Sequence, residues 1–325
     1  MRLLVLISLS CLLIVGSGCL QKQFAKQEQS PPPPETVSRV VGVVQAVQMD
    51  GTIELTLADG TPEVLIPPAG DAMKTSDVGL LIRASGERDR STRQLRATDV
   101  EVLNAPNVYV ESPSSGATVT SPLQVYGFGR VNEQQFSWRV KDTDGKTVAS
   151  GTAMTHAPTA GIYGPFRLEI FLPALPGRSF TLELFQVSQK DGTDQDLVSV
   201  PLALLTDRTS DFDVFFRKSG PLPDCKEVVS VKRIMAETSA VARAALLELL
   251  KGPTSEEQAA GFVTDIPDGT ELKSLVINNA TAHADFGDGL RAPADPCLVS
   301  GSRAQIEETL RQFPAVEQVD ITPLP

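Results

Sequence analysis

Four Asp-Gly pairs, Asp50-Gly51, Asp59-Gly60, Asp144-Gly145 and Asp191-Gly192, each stand between short runs of alternating apolar and polar residues. Such a pair favours the positive backbone torsions of a tight hairpin, and period-two alternation turns one face of a strand toward a core. Most of this chain is therefore committed to short antiparallel strands. Residues 39–49, 52–57, 63–66, 80–85 and 95–102 read as five strands, and the polar stretch 71–77 allows a helical turn after the third. Residues 108–110, 123–126, 136–140, 166–172, 180–186 and 197–203 continue the alternation. Strands at that spacing, about ten residues apart, predict a β-sandwich of about six or seven strands.

From residue 210 the pattern changes, and strands alternate with helices. Residues 213–216 and 228–234 read as strands. Ser239 can cap a helix over 240–250, whose Val241, Ala244, Ala245 and Leu249 share one apolar face and which Gly252-Pro253 stops. Strands 272–277 and 281–286 follow. A second helix is predicted to start at the capping box Ser302-x-x-Gln305, with Ile306, Leu310 and Phe313 on one side, before a last strand over 316–321.

The amino terminus carries an address. Arg2 precedes an apolar run over 3–15, and Gly16, Ser17 and Gly18 place small side chains before Cys19. This is a secretory signal, too short to remain as a membrane-spanning helix. With Cys19 at the cleavage point it resembles a bacterial lipobox, although Gly16 stands where that pattern has a large aliphatic residue. The resemblance implies that Cys19 receives diacylglycerol and becomes the first residue of the mature protein; plain cleavage is the alternative. One acyl chain binds marginally, at about 0.8 kcal/mol per buried methylene, whereas two or more hold firmly. Residues 20–36, Gln- and Lys-rich and then Pro31-Pro32-Pro33-Pro34, cannot build a core and read as a stiff tether.

The chain carries 40 acidic and 29 basic residues, a net charge of −11, which disfavours nucleic acid and anionic lipid headgroups as partners. Aromatics are only 5% of the chain, so the cores must be built from Val, Leu, Ile and Ala. Cys11 lies inside the signal. Cys225 and Cys297 remain, an even pair in an exported chain, for which a disulfide is expected; two free thiols are the alternative. A metal there would lack CxxC or HxxH companions, since His156 and His283 stand alone. The arginines Arg83, Arg88, Arg90, Arg93 and Arg96 alternate with acids and read as a solvated hairpin rather than a nucleic-acid groove.

No catalytic residue is assigned. No GxSxG accompanies the histidines, Gly127-Phe128-Gly129 lacks the third glycine of a dinucleotide loop, and Asp285 with Asp288 supplies too few oxygens for calcium. Asp265 and Asp268, flanking Ile266-Pro267, suit a turn. Trp138, the only tryptophan, is expected in a core. No metal and no cofactor is called for, apart from the acyl chains on Cys19.

Three resemblances follow from particular residues. The five-stranded segment resembles an OB-type barrel. Glu111-Ser112-Pro113-Ser114-Ser115-Gly116, Val119, Ser121-Pro122, Val125, Gly127, Phe136 and Asp144-Gly145 resemble the immunoglobulin-like domain of bacterial spore germination proteins. Ala244-Ala245-Leu246, Leu249 to Thr254, Ile266 to Thr270, Ala284-Asp285-Phe286 and Phe313-Pro314 with Val316, Val319 and Ile321 resemble the GerMN domain of sporulation and germination proteins. The expected chain is thus multidomain: signal 1–19, tether 20–36, OB-like barrel 37–104, immunoglobulin-like sandwich 107–205 and an α/β (α+β) GerMN head 210–323. What this implies is a non-enzymatic, lipid-anchored protein of the cell envelope, meeting envelope proteins or copies of itself through its C-terminal domain. A cell-wall or glycan-binding adaptor and an envelope hydrolase are the competing readings.

Overall fold

The computed structural model describes residues 37–323 apart from 71–72, 90, 221–223 and 291–294. The signal, Cys19, the proline tether and Arg90 therefore lie outside the described residues.

Strands β1 (Val37–Val47), β2 (Ile53–Leu57), β3 (Pro62–Ile66), β4 (Leu81–Arg88) and β5 (Leu95–Val102) form a closed barrel in the order β1-β2-β3-β5-β4. Among the described barrel strands, only β3 and β5 pair in parallel. Asp50 and Asp59 make the two hairpin turns, each Oδ1 accepting from the backbone and hydroxyl of the threonine two residues on. A short 3-10 turn, Thr75–Asp77, follows β3 as expected. The run of valines in β1 has two destinations. Val40 and Val44 enter the barrel core with Ile53, Leu55, Leu65 and Leu95, whereas Val41 and Val43 face outward and pack against the next domain.

That domain is a sandwich of β6 (Val108–Ser112), β7 (Thr118–Val119), β8 (Leu123–Gly129), β9 (Gln135–Lys141), β10 (Thr147–Met154), β11 (Gly164–Ile170), β12 (Ser179–Val187) and β13 (Asp194–Leu204). One sheet runs β10-β9-β12-β13-β7 and the other β11-β8-β6. Between them lie Leu123, Val125, Val140, Leu182, Leu184 and Leu202, with the Phe136 and Phe166 rings 4.8 Å apart. The sequence pattern missed β7, which is two residues long, and β10, whose TVASGTAM is built mostly of small side chains with its one large apolar residue, Met154, exposed. β10 is small for a reason. Gly151 pairs with Trp138, and a Cβ there would stand 2.7 Å from the indole.

The three-stranded sheet is covered on both faces. Its outer side sends Phe128 against Val41, Val43, Ala58 and Leu81 of the barrel, and the Tyr163 hydroxyl donates to the Ala105 carbonyl at 2.8 Å. Beyond β11, Phe171 enters the core of the C-terminal domain, and Ala236 of that domain returns into the sandwich core. The Ala236 N–H donates to the Leu172 carbonyl at 3.0 Å, and Arg243 meets Glu169 at 3.1 Å.

The head contains β14 (Thr209–Lys218), β15 (Val229–Ala236), α1 (Val241–Leu250), α2 (Ser255–Ala259), β16 (Phe262–Val263), β17 (Ser274–Asn278), β18 (Thr281–Asp285), α3 (Pro296–Arg311) and β19 (Gln318–Thr322). Its sheets run β15-β14-β16 and β17-β18-β19. Phe212, Val214 and Phe216 meet Ala245, Leu246 and Leu249 of α1, and Ile306 and Leu310 of α3, in one core. Gly252, at a φ of 74°, closes α1 by donating its N–H to the Leu249 carbonyl.

The predicted start of α3 is corrected. The helix begins at Pro296, with the Asp295 carboxylate accepting from the Cys297 N–H at 2.8 Å. An acidic N-cap followed by proline in the first turn is a stronger start than Ser302 and Gln305, which are instead buried inside the helix. The buried polar positions have a second purpose. β16 covers the free edge of β14 only at Arg217 and Lys218. Further along that edge, the Phe215 N–H donates to Thr309 Oγ1 at 3.2 Å. Gln312 accepts from the Asp213 N–H at 2.8 Å and donates to the Asp213 carbonyl at 2.7 Å. Side chains of a helix thus stand in for a missing strand and seal a sheet edge. Thr309→Val leaves the Phe215 N–H without this partner in a dry site. A loss of about 1–3 kcal/mol is expected in denaturant unfolding, and no loss would show that this bond contributes nothing.

Candidate functional site

The side chains that looked chemically capable in the sequence are placed apart. His283 stands exposed on the outer face of β18, with Nδ1 3.1 Å from Asp320 Oδ2 and Nε2 3.1 Å from Asn278 Oδ1. Asp285 Oδ1 accepts from the Gly287 N–H at 2.9 Å and so shapes the turn after β18, and Asp288 follows in the 3-10 turn Gly287–Leu290. His156 lies in the β10–β11 loop, its Nδ1 3.4 Å from the Pro165 carbonyl. Among the described residues, no group of three or more His, Cys, Asp or Glu is gathered as a metal site, and no helix is long and apolar enough to cross a membrane.

Structural roles account for the other motifs. Arg83 pairs with Glu101, Arg88 with Glu63 and Arg96 with Asp89 on the barrel surface. Trp138 points into the sandwich core and packs against its buried residues. Gly127 and Gly129 allow strands to touch: a Cβ on Gly127 would stand 2.1 Å from the Tyr109 carbonyl oxygen.

Asp265 departs from its predicted turn role. Its carboxylate is buried and receives Arg217 through two bonds, Nε to Oδ2 and Nη2 to Oδ1, both 2.7 Å. The carboxylate raises the Arg217 pKa above its ordinary value, chiefly through these bonds. Helix α3 closes over the pair at Gly301, where a Cβ would lie 2.0 Å from Asp265 Oδ2. Beside it, Cys225 and Cys297 form a disulfide, with Cα atoms 5.2 Å apart and a sequence separation of 72. The bond ties the segment before β15 to the first turn of α3. No local pattern links positions 217 and 265; only the strand phase of β14, which turns Phe212, Val214 and Phe216 to one core, leaves Arg217 on the opposite face.

A second buried-edge network joins Arg233 of β15 to Glu257 of α2, at 2.6 Å, and Glu248 of α1. The Arg233 bond holds the Glu257 carboxyl below the usual range, against the opposing effect of burial. On the outer face of the larger sandwich sheet, Glu183 is bonded by Arg139 at 2.6 Å and Lys141 at 3.1 Å. What these arrangements do is hold elements in place.

Comparison with known proteins gives two family matches, one in the sandwich and one in the head. Residues 107–193 match the immunoglobulin-like domain of bacterial spore germination. Residues 213–322 match the family described as sporulation and spore germination. No curated protein matches the chain. Among solved structures, a lipoprotein from Clostridium perfringens is 14% identical over 35% of this chain and 76% of its own, with a TM-score of 0.24. CopC from Methylosinus trichosporium OB3b is 20% identical over 30% of this chain and 92% of its own, with a TM-score of 0.21. Likenesses of that size carry no argument about fold or function. The two sequence families do, and they make this a chain with an immunoglobulin-like domain of bacterial spore germination followed by a sporulation and spore germination domain.

Proposed function

We propose that the protein is a non-enzymatic, extracytoplasmic component of the cell envelope, anchored by lipid on Cys19 and acting by position in a germination- or sporulation-type assembly. The observation that carries this reading is how the head uses its reactive side chains. Asp265 is bonded by Arg217, Asp285 by its own turn, and His283 by Asn278 and Asp320, so each is spent on holding the fold. The Cys225–Cys297 disulfide suits an oxidising compartment outside the cytoplasm. On this reading the acyl chains fix the amino terminus in a bilayer, residues 20–36 set the height, and the head meets an envelope protein or a second copy of the chain.

Photo-crosslinking residues at Ile234 and Val276, exposed on the two head sheets, test the contact in intact cells. The expected result is capture of an envelope protein, or of the chain itself, from the head positions and not from Met49, exposed on the barrel. Capture from Met49 alone, or from none of the three, would overturn the role given to the head.

A further inference from the structure

A cleft runs between the barrel and the sandwich, where the β2–β3 turn faces β11, and its two lobes meet at Ala58 and Asp59. The larger, about 460 Å³, is walled by Gln45 and Thr56 of the barrel and by His156, Pro165 and Arg167 of the sandwich. The smaller, about 330 Å³, is walled by Arg39, Leu57, Glu111 and Tyr126. Both volumes lie in the range of small-ligand sites, which favour boundaries between domains.

Two charges in this cleft, Arg167 and Glu111, are left without an ionic partner among the described residues. Several arginines elsewhere are neutralised, Arg139 by Glu183 and Asp194, Arg217 by Asp265, Arg233 by Glu257 and Arg243 by Glu169, whereas Arg130, which lines neither lobe, rests on Asn107 and the Tyr163 ring. Arg167 has no carboxylate partner among the described residues. Its guanidinium lies 5.7 Å over the Tyr126 ring and shares the neutral Gln124 Oε1 at 3.3 and 3.4 Å. This exposed guanidinium, held by an aromatic face and an amide, keeps its fork available for an incoming carboxylate. Glu111, at the other end, is likewise bonded by no donor among the described residues. Burial raises its carboxyl above the ordinary value, and the charge of Asp59 adds to the effect. A cation arriving there would relieve both. Polarity therefore runs along the cleft, from Arg167 and His156 in the larger lobe to Glu111 in the smaller, with Asp59 at the junction of the two and exposed Arg39 beside Glu111.

The geometry points to a binding site for a short peptide with free termini, its carboxylate at Arg167 and its ammonium at Glu111. Gln45 and Thr56 offer an amide and a hydroxyl to the peptide groups between. Pro165 and Leu57 suit small apolar side chains. A sugar ring would want an open aromatic face, and the Tyr126 ring is already covered by Arg167.

Trialanine is the probe, titrated into the full-length protein in detergent by calorimetry, beside N-acetyl-trialanine, trialanine amide and chitotriose. The expected result is saturable binding of trialanine, weakened about tenfold or more by amidation or by acetylation. Arg167→Gln should reproduce the loss for the free acid and add nothing for the amide. Glu111→Gln should do the same with respect to the free and acetylated amine. Both positions lie in the cleft wall without bonds that hold a core, and unchanged unfolding of the variants confirms that they fold. Absent saturation by trialanine, equal binding of the blocked peptides, losses that do not follow this pairing, or binding of chitotriose instead would each overturn the proposal.

Discussion

Arg217→Ala is expected to destabilise the head by about 3–5 kcal/mol, a large fraction of the stability of an ordinary domain. The cause is what it leaves behind. The Asp265 side chain is 2% exposed and the Arg217 side chain 19% exposed, and α3 at Gly301 presses on the carboxylate. Without the guanidinium, a carboxylate must stay charged in a dry site or take up a proton, and both cost free energy. The pair itself is not the source of stability, because desolvating two ions consumes most of their attraction. Arg217→Met combined with Asp265→Leu should therefore lie within about 2 kcal/mol of the natural protein, provided the leucine fits under Gly301. Denaturant unfolding followed by helical circular dichroism reads this change, since every α-helix among the described residues belongs to the head. A single variant as stable as the natural protein would show that the site is wetter than its burial indicates.

Removing the disulfide is the second large effect. Cys225→Ser with Cys297→Ser opens a loop closed across 72 residues of sequence, for which the chain-entropy argument gives about 4 kcal/mol. The consequence should be local. The first turn of α3 loses its covalent tie, so amide exchange should rise from residue 297 toward Gly301, beside the Arg217–Asp265 pair, while the β1–β5 barrel keeps its protection. Reduction of the natural protein should give the same pattern as the double variant. Unchanged unfolding in both would mean that packing alone holds the turn.

The parts that sequence made legible are those with a local physical signature. Asp50-Gly51 and Asp59-Gly60 turn where their chemistry requires, and the period-two runs around them become barrel strands. Ala244, Ala245 and Leu249 mark the buried face of α1 because a helix repeats its faces every three or four residues. The illegible parts are those set by distant partners. β10 looks featureless because its glycine makes room for Trp138 on the neighbouring strand. Ser302 and Gln305 imitate a helix start, whereas Gln305 accepts from the Thr264 hydroxyl at 3.0 Å inside the head. Asp265 reads as a turn residue because its arginine lies 48 positions away. The uncompensated Arg167 and Glu111 are equally silent, since a missing partner is visible only once every other charge has been placed.

The positional role depends first on attachment through Cys19, and intact-mass measurement of the mature protein recovered from membranes reads that attachment without intermediaries. A chain beginning at Cys19 and heavier than the bare polypeptide by a diacylglyceryl group is expected, with Cys19→Ser releasing the protein from the membrane. A mature chain found in the medium with an unmodified Cys19 thiol would rule the positional role out.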